Sequence, residues 1–140
     1  MSVLTFGTVV LNPGHARAPA LVLDEPLSFW GGFDPVLGTV IDRNHPQSGA
    51  CLAGKVLVLP GSRGSAGTPA GLAEAIRRGA GPVAVLLGTK DVNIAIGAMV
   101  AARLYNLEVP VLFVKSDDYD RLAPGDEICV AADGTVTVEA

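Results

Sequence analysis

Histidine and cysteine are scarce in this chain, two of each, and Cys51 and Cys129 lie far apart without a CxxC or Cys/His spacing. That argues against a disulfide framework and against a metal site contained in the chain, and makes two buried, inert thiols the expectation. Charge is also sparse, at 17% of residues, and its sum is −4. Lys and Arg form no stripe interleaved with aromatics, so the electrostatic footprint of a nucleic-acid binder is missing. Glycine, proline or a charged residue breaks every apolar run before membrane-spanning length, and no basic segment followed by an apolar run stands at the N-terminus. The expected location is the cytoplasm, away from any membrane.

Apolar residues, by contrast, make up 49% of the 140. That length is the size of one domain with a real core, and little polar material remains to coat its surface, which points to a partner. Seventeen glycines and ten prolines are spread along the chain, fitting many short connections.

The first third reads as β-rich. Leu4 to Leu11 and Ala20 to Leu23 have strand composition, with Asn12-Pro13-Gly14 as a turn between them. The segment 28–35, with Trp30, Gly31 and Gly32, is a loop, and Gly38 to Ile41 returns to the sheet. From Lys55 the pattern becomes that of a parallel α/β unit: strands Lys55 to Leu59, Val83 to Leu87 and Val111 to Val114, with helices Pro69 to Arg78 and Val92 to Tyr105 between them. Thr68 and Asp91 are the predicted N-caps. In the second helix Ile96, Met99, Val100, Leu104 and Leu107 follow helical spacing, and Met99 reads as core. Asp133-Gly134 between two apolar runs predicts a tight C-terminal hairpin. A β-rich layer, a small mixed or parallel sheet and two covering helices make a three-layer β/β/α domain over residues 1–140.

Pro60-Gly61-Ser62-Arg63-Gly64-Ser65-Ala66-Gly67-Thr68-Pro69 leaves an apolar strand and enters a helix. Ser62, Arg63 and Ser65 therefore precede a helix N-terminus, where backbone N–H groups and the helix dipole favour an anionic substrate group or a serine alkoxide. A glycine-rich turn without a ligand is the competing reading of that spacing.

Phe29-Trp30-Gly31-Gly32, Asp34, Gly38, Asp42, His45, Arg63-Gly64-Ser65 and Gly81-Pro82-Val83-Ala84, in this order, resemble the small subunit of the aconitase X enzymes over nearly the whole chain. The resemblance implies a swivelling β/β/α domain like the mobile domain of aconitase. It also implies a large partner subunit carrying an iron or iron–sulfur centre, none being bound by the small subunit alone, and an active site between the two. Activities in the family include dehydration of cis-3-hydroxy-L-proline in bacteria and of phosphomevalonate in archaea.

The family's catalytic serine falls on Ser65, as the base that removes the substrate proton. Such an alkoxide needs stabilisation, which Arg63 and loop N–H groups are available to give. Ala66-Gly67-Thr68-Pro69 follows where archaeal members carry further hydroxyl or thiol side chains. With fewer hydroxyls for a phosphate, the expected substrate is a small hydroxy acid, cis-3-hydroxy-L-proline before phosphomevalonate.

Arg63 has the planar fork to grip a substrate carboxylate, with a simple salt bridge to an acidic neighbour as the competing role. Ser62, Gly64 and Thr68 are further substrate-binding candidates, with backbone capping as the competing role for Thr68. Trp30, Gly31, Gly32 and His45 are candidates for the site or the subunit seam, against core packing for Trp30 and a backbone hydrogen bond for His45. Asp117, Asp118 and Asp120 read as a solvated turn or short helix. A phosphohistidine carrier on the same fold needs a histidine on the loop before its helix, and neither His15 nor His45 stands there. A non-catalytic anion-binding or regulatory module remains an alternative, without the Gly-Lys-Ser/Thr ending of a nucleotide-hydrolysing loop.

Overall fold

The structure, a computed structural model, describes residues 3–64 and 67–140. The run read as one strand from Leu4 to Leu11 is two, β1 (Val3–Phe6) and β2 (Val9–Asn12), broken at Gly7-Thr8. The chain continues through β3 (Ala16–Val22), β4 (Phe33–Asp34), β5 (Thr39–Val40), β6 (Val56–Leu59), α1 (Thr68–Arg77), β7 (Ala84–Leu87) and α2 (Val92–Tyr105). It ends with β8 (Val111–Phe113), the single turn α3 (Ser116–Tyr119), β9 (Glu127–Val130) and β10 (Val136–Glu139).

Among the described residues, eight strands hydrogen-bond in the order β1-β10-β9-β3-β6-β7-β8-β2. The bend in this sheet lies in β3. Its residues Ala16 to Pro19 pair antiparallel with β9, whereas Ala20 to Val22 pair parallel with β6. Pro19, which has no N–H to give a ladder, stands where the strand changes partner.

Both faces of β6 and β7 are buried, so alternate residues feed two cores. Leu57, Leu59, Val85 and Leu87 pack under the helices with Leu72, Ile76, Ile94 and Ala98. Val56, Val58, Ala84 and Leu86 pack against the antiparallel layer with Phe6, Ile128, Val136 and Val138. Each such fully buried aliphatic side chain contributes about 2 kcal/mol, and two cores either side of one parallel layer make the expected β/β/α arrangement.

Several local expectations are corrected. Residues 38–41 do not rejoin the main sheet, because β5 pairs with β4 as a separate ribbon. The N-cap of α1 is Gly67, with no side-chain capping bond, and Thr68 is already helical. Met99 is not core: it is 49% exposed, Leu104 is 69% exposed, and the buried residues of α2 are Ile94, Ala95, Gly97, Ala98 and Ala101. A Cβ on Gly97 would lie 3.1 Å from Leu72 Cβ, so α1 approaches too closely for large side chains between the helices. The thiols also differ from expectation, Cys51 being exposed and Cys129 half-buried, both free. Asp91 caps α2 as predicted, accepting a hydrogen bond from the Ile94 N–H at 3.1 Å. None of the described helices is long and apolar enough to cross a membrane.

The C-terminal hairpin forms, but with a longer turn than Asp-Gly alone would make. Gly134 has φ 93° and Asp133 keeps a negative φ, while the Gly134 N–H bonds the Ala131 carbonyl at 3.0 Å. This is a turn followed by a left-handed glycine. A Cβ on Gly134 would meet Val10 Cγ2 at 2.6 Å. Gly134→Ala is accordingly expected to destabilise the chain by about 1–2 kcal/mol, from left-handed strain plus crowding. Thermal unfolding checks this, and an unchanged midpoint would show that the turn relaxes to another type at no cost.

Candidate active site

The Pro60 to Gly64 segment leaves the carboxyl end of β6, beside the segment Gly88 to Asp91 that leaves β7. In parallel α/β sheets this edge is where strand-to-helix loops converge on ligands. The two segments are tied together here. Thr89 Oγ1 donates to the Pro60 carbonyl at 2.8 Å, and Ser62 donates both its N–H and its Oγ–H to Asp91 Oδ2, each at 2.6 Å. Burial pushes the Asp91 carboxyl up, but the Ser62 hydroxyl and the N–H groups of Ser62, Ile94 and Asn93 outweigh it and hold its pKa below the ordinary value.

A third strand-like contact comes from residues 24–27. Leu27 bridges Ser62 in parallel, giving its N–H to the Gly61 carbonyl at 3.2 Å and receiving the Arg63 N–H at 2.9 Å. The Arg63 guanidinium reaches Glu25 Oε1 at 3.5 Å, and both side chains are about half exposed. A pair this exposed contributes about 0–1 kcal/mol, so exchanging the Glu25 carboxylate for another carboxylate costs little.

His45 is only 4% exposed. Its Nδ1 accepts from the Gln47 N–H at 3.0 Å, which leaves the proton on Nε2, facing the Glu25 carbonyl at 3.1 Å. Both ring nitrogens are thus used on backbone. Gln47 in turn holds Asp24, accepting its N–H at 2.9 Å and donating to Oδ2 at 2.8 Å. His45 shapes the segment that carries the ion partner of Arg63 and does not itself face the loop.

Trp30 is 74% exposed, yet its base lies on the loop: a Cβ on Gly67 would be 2.4 Å from Trp30 Cβ and 2.5 Å from Cγ. Beside it opens an apolar hollow of about 520 Å³, lined by Phe29, Trp30, Phe33, Pro35, Ala70 and Glu74. The Gly32 carbonyl accepts the Ile41 N–H at 2.9 Å, closing the turn that Gly31 begins with φ 96°.

Of the residues singled out from sequence, Ser62, Arg63, Gly64 and Trp30 gather around this loop, with Gly64 in the left-handed region at φ 80°. Thr68 is brought to the same place but is 1% exposed, so its candidacy as a substrate ligand is corrected to a core position in the first turn of α1. Ser65 lies outside the described residues. Asp91, Thr89 and Glu25 were not legible as site residues. Asp91 carries a sequence signal only as a helix cap, and nothing along the chain links it to Ser62, twenty-nine positions away.

Among the described residues, no group of three or more His, Cys, Asp or Glu side chains comes together as a metal cage. Asp117 and Asp118 begin the one-turn α3 instead.

The family model for the aconitase X swivel domain matches residues 5–138. A cis-3-hydroxy-L-proline dehydratase of Pseudomonas aeruginosa is 42% identical over 113 residues, covering 81% of this chain and 19% of that protein. A phosphomevalonate dehydratase small subunit of Methanothermobacter thermautotrophicus is 40% identical over 92 residues, covering 66% of this chain and 70% of that one. The chain spans about a fifth of the length of the hydroxyproline dehydratases it matches. The crystal structure of Thermococcus kodakaraensis aconitase X in its holo-form superposes with a TM-score of 0.85 at 27% identity, covering 98% of this chain and 99% of that one.

Proposed function

The chain belongs to the aconitase X swivel-domain family, and from that membership we propose that its 140 residues act as one swivelling domain, the small subunit of a heteromeric hydro-lyase. Its substrate is a small hydroxy acid, cis-3-hydroxy-L-proline, dehydrated to Δ1-pyrroline-2-carboxylate. The observation that carries this reading is the 42% identity to a named hydroxyproline dehydratase. The small-subunit names of the phosphomevalonate dehydratase relatives support a large partner, and in this reading that partner carries the iron or iron–sulfur centre. With that centre on the partner, this chain's share of the reaction is to bind, orient and deprotonate.

Ser65 takes the proton α to the substrate carboxylate, while the neighbouring hydroxyl departs on the partner's side, and the resulting enamine gains a proton at C3 and loses one from nitrogen to give the Δ1 product. Two features favour a serine alkoxide: the start of α1, with the positive end of its dipole, and the guanidinium of Arg63. Arg63 also grips the substrate carboxylate, releasing Glu25. Exposed apolar side chains support a covering partner, with Trp30 beside Gly67, Val36 and Leu37 between β4 and β5, and Ile96, Met99 and Leu104 on α2. Two unpaired thiols are consistent with work in the reducing cytoplasm.

One observation favours a second reading, the small subunit of a phosphomevalonate dehydratase: those relatives are separate small chains of comparable length. Against it, Ser62 spends both of its donors on Asp91 and has none left for a phosphate.

The test is to assemble the chain with its large partner and follow pyrroline-2-carboxylate formation from cis-3-hydroxy-L-proline, with phosphomevalonate assayed in parallel. Turnover of neither substrate overturns the dehydratase reading. Arg63→Lys in that assembly is expected to raise KM about tenfold or more. It keeps a point charge but loses the fork, and one charge-assisted hydrogen bond corresponds to about 1.5–3 kcal/mol. Unchanged KM and kcat would reduce Arg63 to a surface partner of Glu25.

A further inference from the structure

Asp91 is bonded on both carboxylate oxygens, and the two face different elements. Oδ1 receives the Ile94 N–H at 3.1 Å and fixes the carboxylate to the first turn of α2. Oδ2 receives the backbone N–H and the hydroxyl of Ser62, both at 2.6 Å. The approach leaves no spare room: a Cβ on Gly61 would lie 2.9 Å from Thr89 Oγ1 and 3.3 Å from Asp91 Oδ2.

We propose that Asp91 is a positioning residue, which fixes the start of the Ser62 to Gly67 loop to the N-terminus of α2 and orients the Ser62 hydroxyl. The inference rests on the dehydratase reading for its catalytic consequence. Two charge-assisted bonds, one from the N–H and one from the hydroxyl of a single residue, hold that residue's backbone and side chain together, and charge-assisted bonds are about twice as strong as neutral ones. Arg63 is the next residue, and its N–H is held by Leu27, so the direction in which the loop leaves β6 is set from two sides. The Ser62 hydroxyl also acquires a defined polarity. With its proton on Asp91, it presents only acceptor lone pairs outward. A substrate group meeting Ser62 is therefore a donor, an ammonium or a hydroxyl, and not a phosphate or carboxylate oxygen.

Asp91→Asn separates positioning from capping. Asparagine caps a helix as well as aspartate, so the side-chain oxygen can still serve Ile94. The amide nitrogen then stands where Oδ2 was, and it cannot accept from Ser62. The measurements are made on the assembled enzyme, with hydrogen exchange of this chain in the same assembly. The expected result is that exchange of the Ser62 and Arg63 amides speeds up about tenfold or more while α2 keeps its protection. With this, kcat falls about tenfold or more, KM changing less, and the thermal midpoint and partner association are retained. Asp91→Asn with Ser62→Ala should cost no more than the worse single change, because the hydroxyl bond lost in Ser62→Ala is one of the two lost in Asp91→Asn.

Unchanged exchange at Ser62 and Arg63, or unchanged kcat, overturns the proposal. So does a loss of activity accompanied by faster exchange throughout α2, which would make Asp91 a helix cap and nothing more. Effects that multiply in the double variant also count against it. If the wild-type assembly dehydrates neither substrate, the functional reading fails and the catalytic consequence with it, while the exchange of the Ser62 amide still decides whether Asp91 holds the loop.

Discussion

Ser65→Ala in the assembled enzyme is expected to lower kcat by about 10³-fold while leaving folding and partner association unchanged. A positioned base is worth about 10²–10⁴-fold, and alanine offers no atom to take the proton. The change should fall on kcat and kcat/KM equally, because the hydroxyl acts on the proton in the transition state and need not hold the ground-state substrate. Stability should hardly move, since the change removes a single oxygen and asks nothing new of the backbone. Steady-state kinetics with cis-3-hydroxy-L-proline, with thermal unfolding and sedimentation as controls, decides the matter. A kcat within about threefold of wild type would remove Ser65 from the role of base. Loss of partner association would show that the residue holds the seam instead.

The second large effect is on stability. Gly71 lies inside α1 against the Phe29 backbone, and a Cβ there would be 2.2 Å from the Phe29 carbonyl oxygen and 3.1 Å from its carbon. Two effects oppose each other in Gly71→Ala. Alanine favours a helix interior over glycine by about 1 kcal/mol. Relief of the overlap requires the helix and the 28–30 segment to part by about an ångström, and overpacking of this kind costs about 1–3 kcal/mol, occasionally more. The clash is with a backbone carbonyl, which cannot swing aside as a side-chain tip can, so the overlap should win. The expected net loss is about 2 kcal/mol, or a midpoint lower by about 6 °C for a chain of this size. A raised midpoint would mean that the aromatic segment yields freely. The same displacement would carry Trp30 off Gly67, so activity in the assembly should fall along with stability.

Much of the fold is legible along the chain because its signals are local. Val56 to Leu59 and Ala84 to Leu87 are continuous apolar runs, as strands buried on both faces must be. Asp91 and Asn106 mark the two ends of α2, one by its capping oxygen and the other by its left-handed φ of 55°. What was misread lies where local patterns are degenerate. Helix α2 is apolar on most of its circumference, so periodicity cannot choose a face, and the larger side chains look like the core. The choice is made by α1, whose close approach admits only Gly97, Ala98 and their small neighbours. The run 4–11 has strand composition throughout, and its division at Gly7-Thr8 reflects two edges meeting different partners, β10 and β8.

The loop 60–69 was legible as a candidate site because glycine, serine and arginine between a buried strand and a helix are a local arrangement with chemical consequences. Its supports were not legible. Glu25 and Asp91 reach it, and His45 reaches Glu25, from segments remote in sequence, and hydrogen bonds between remote segments leave no periodic trace. By itself the sequence determined the parallel strands β6, β7 and β8, the two ends of α2 and the family resemblance, because each depends on neighbours along the chain. Only the tertiary structure decided which face of α2 is buried, that His45 serves the backbone, and that Asp91 takes both donors of Ser62, because those outcomes depend on which surfaces and carbonyls the folded chain brings within contact distance.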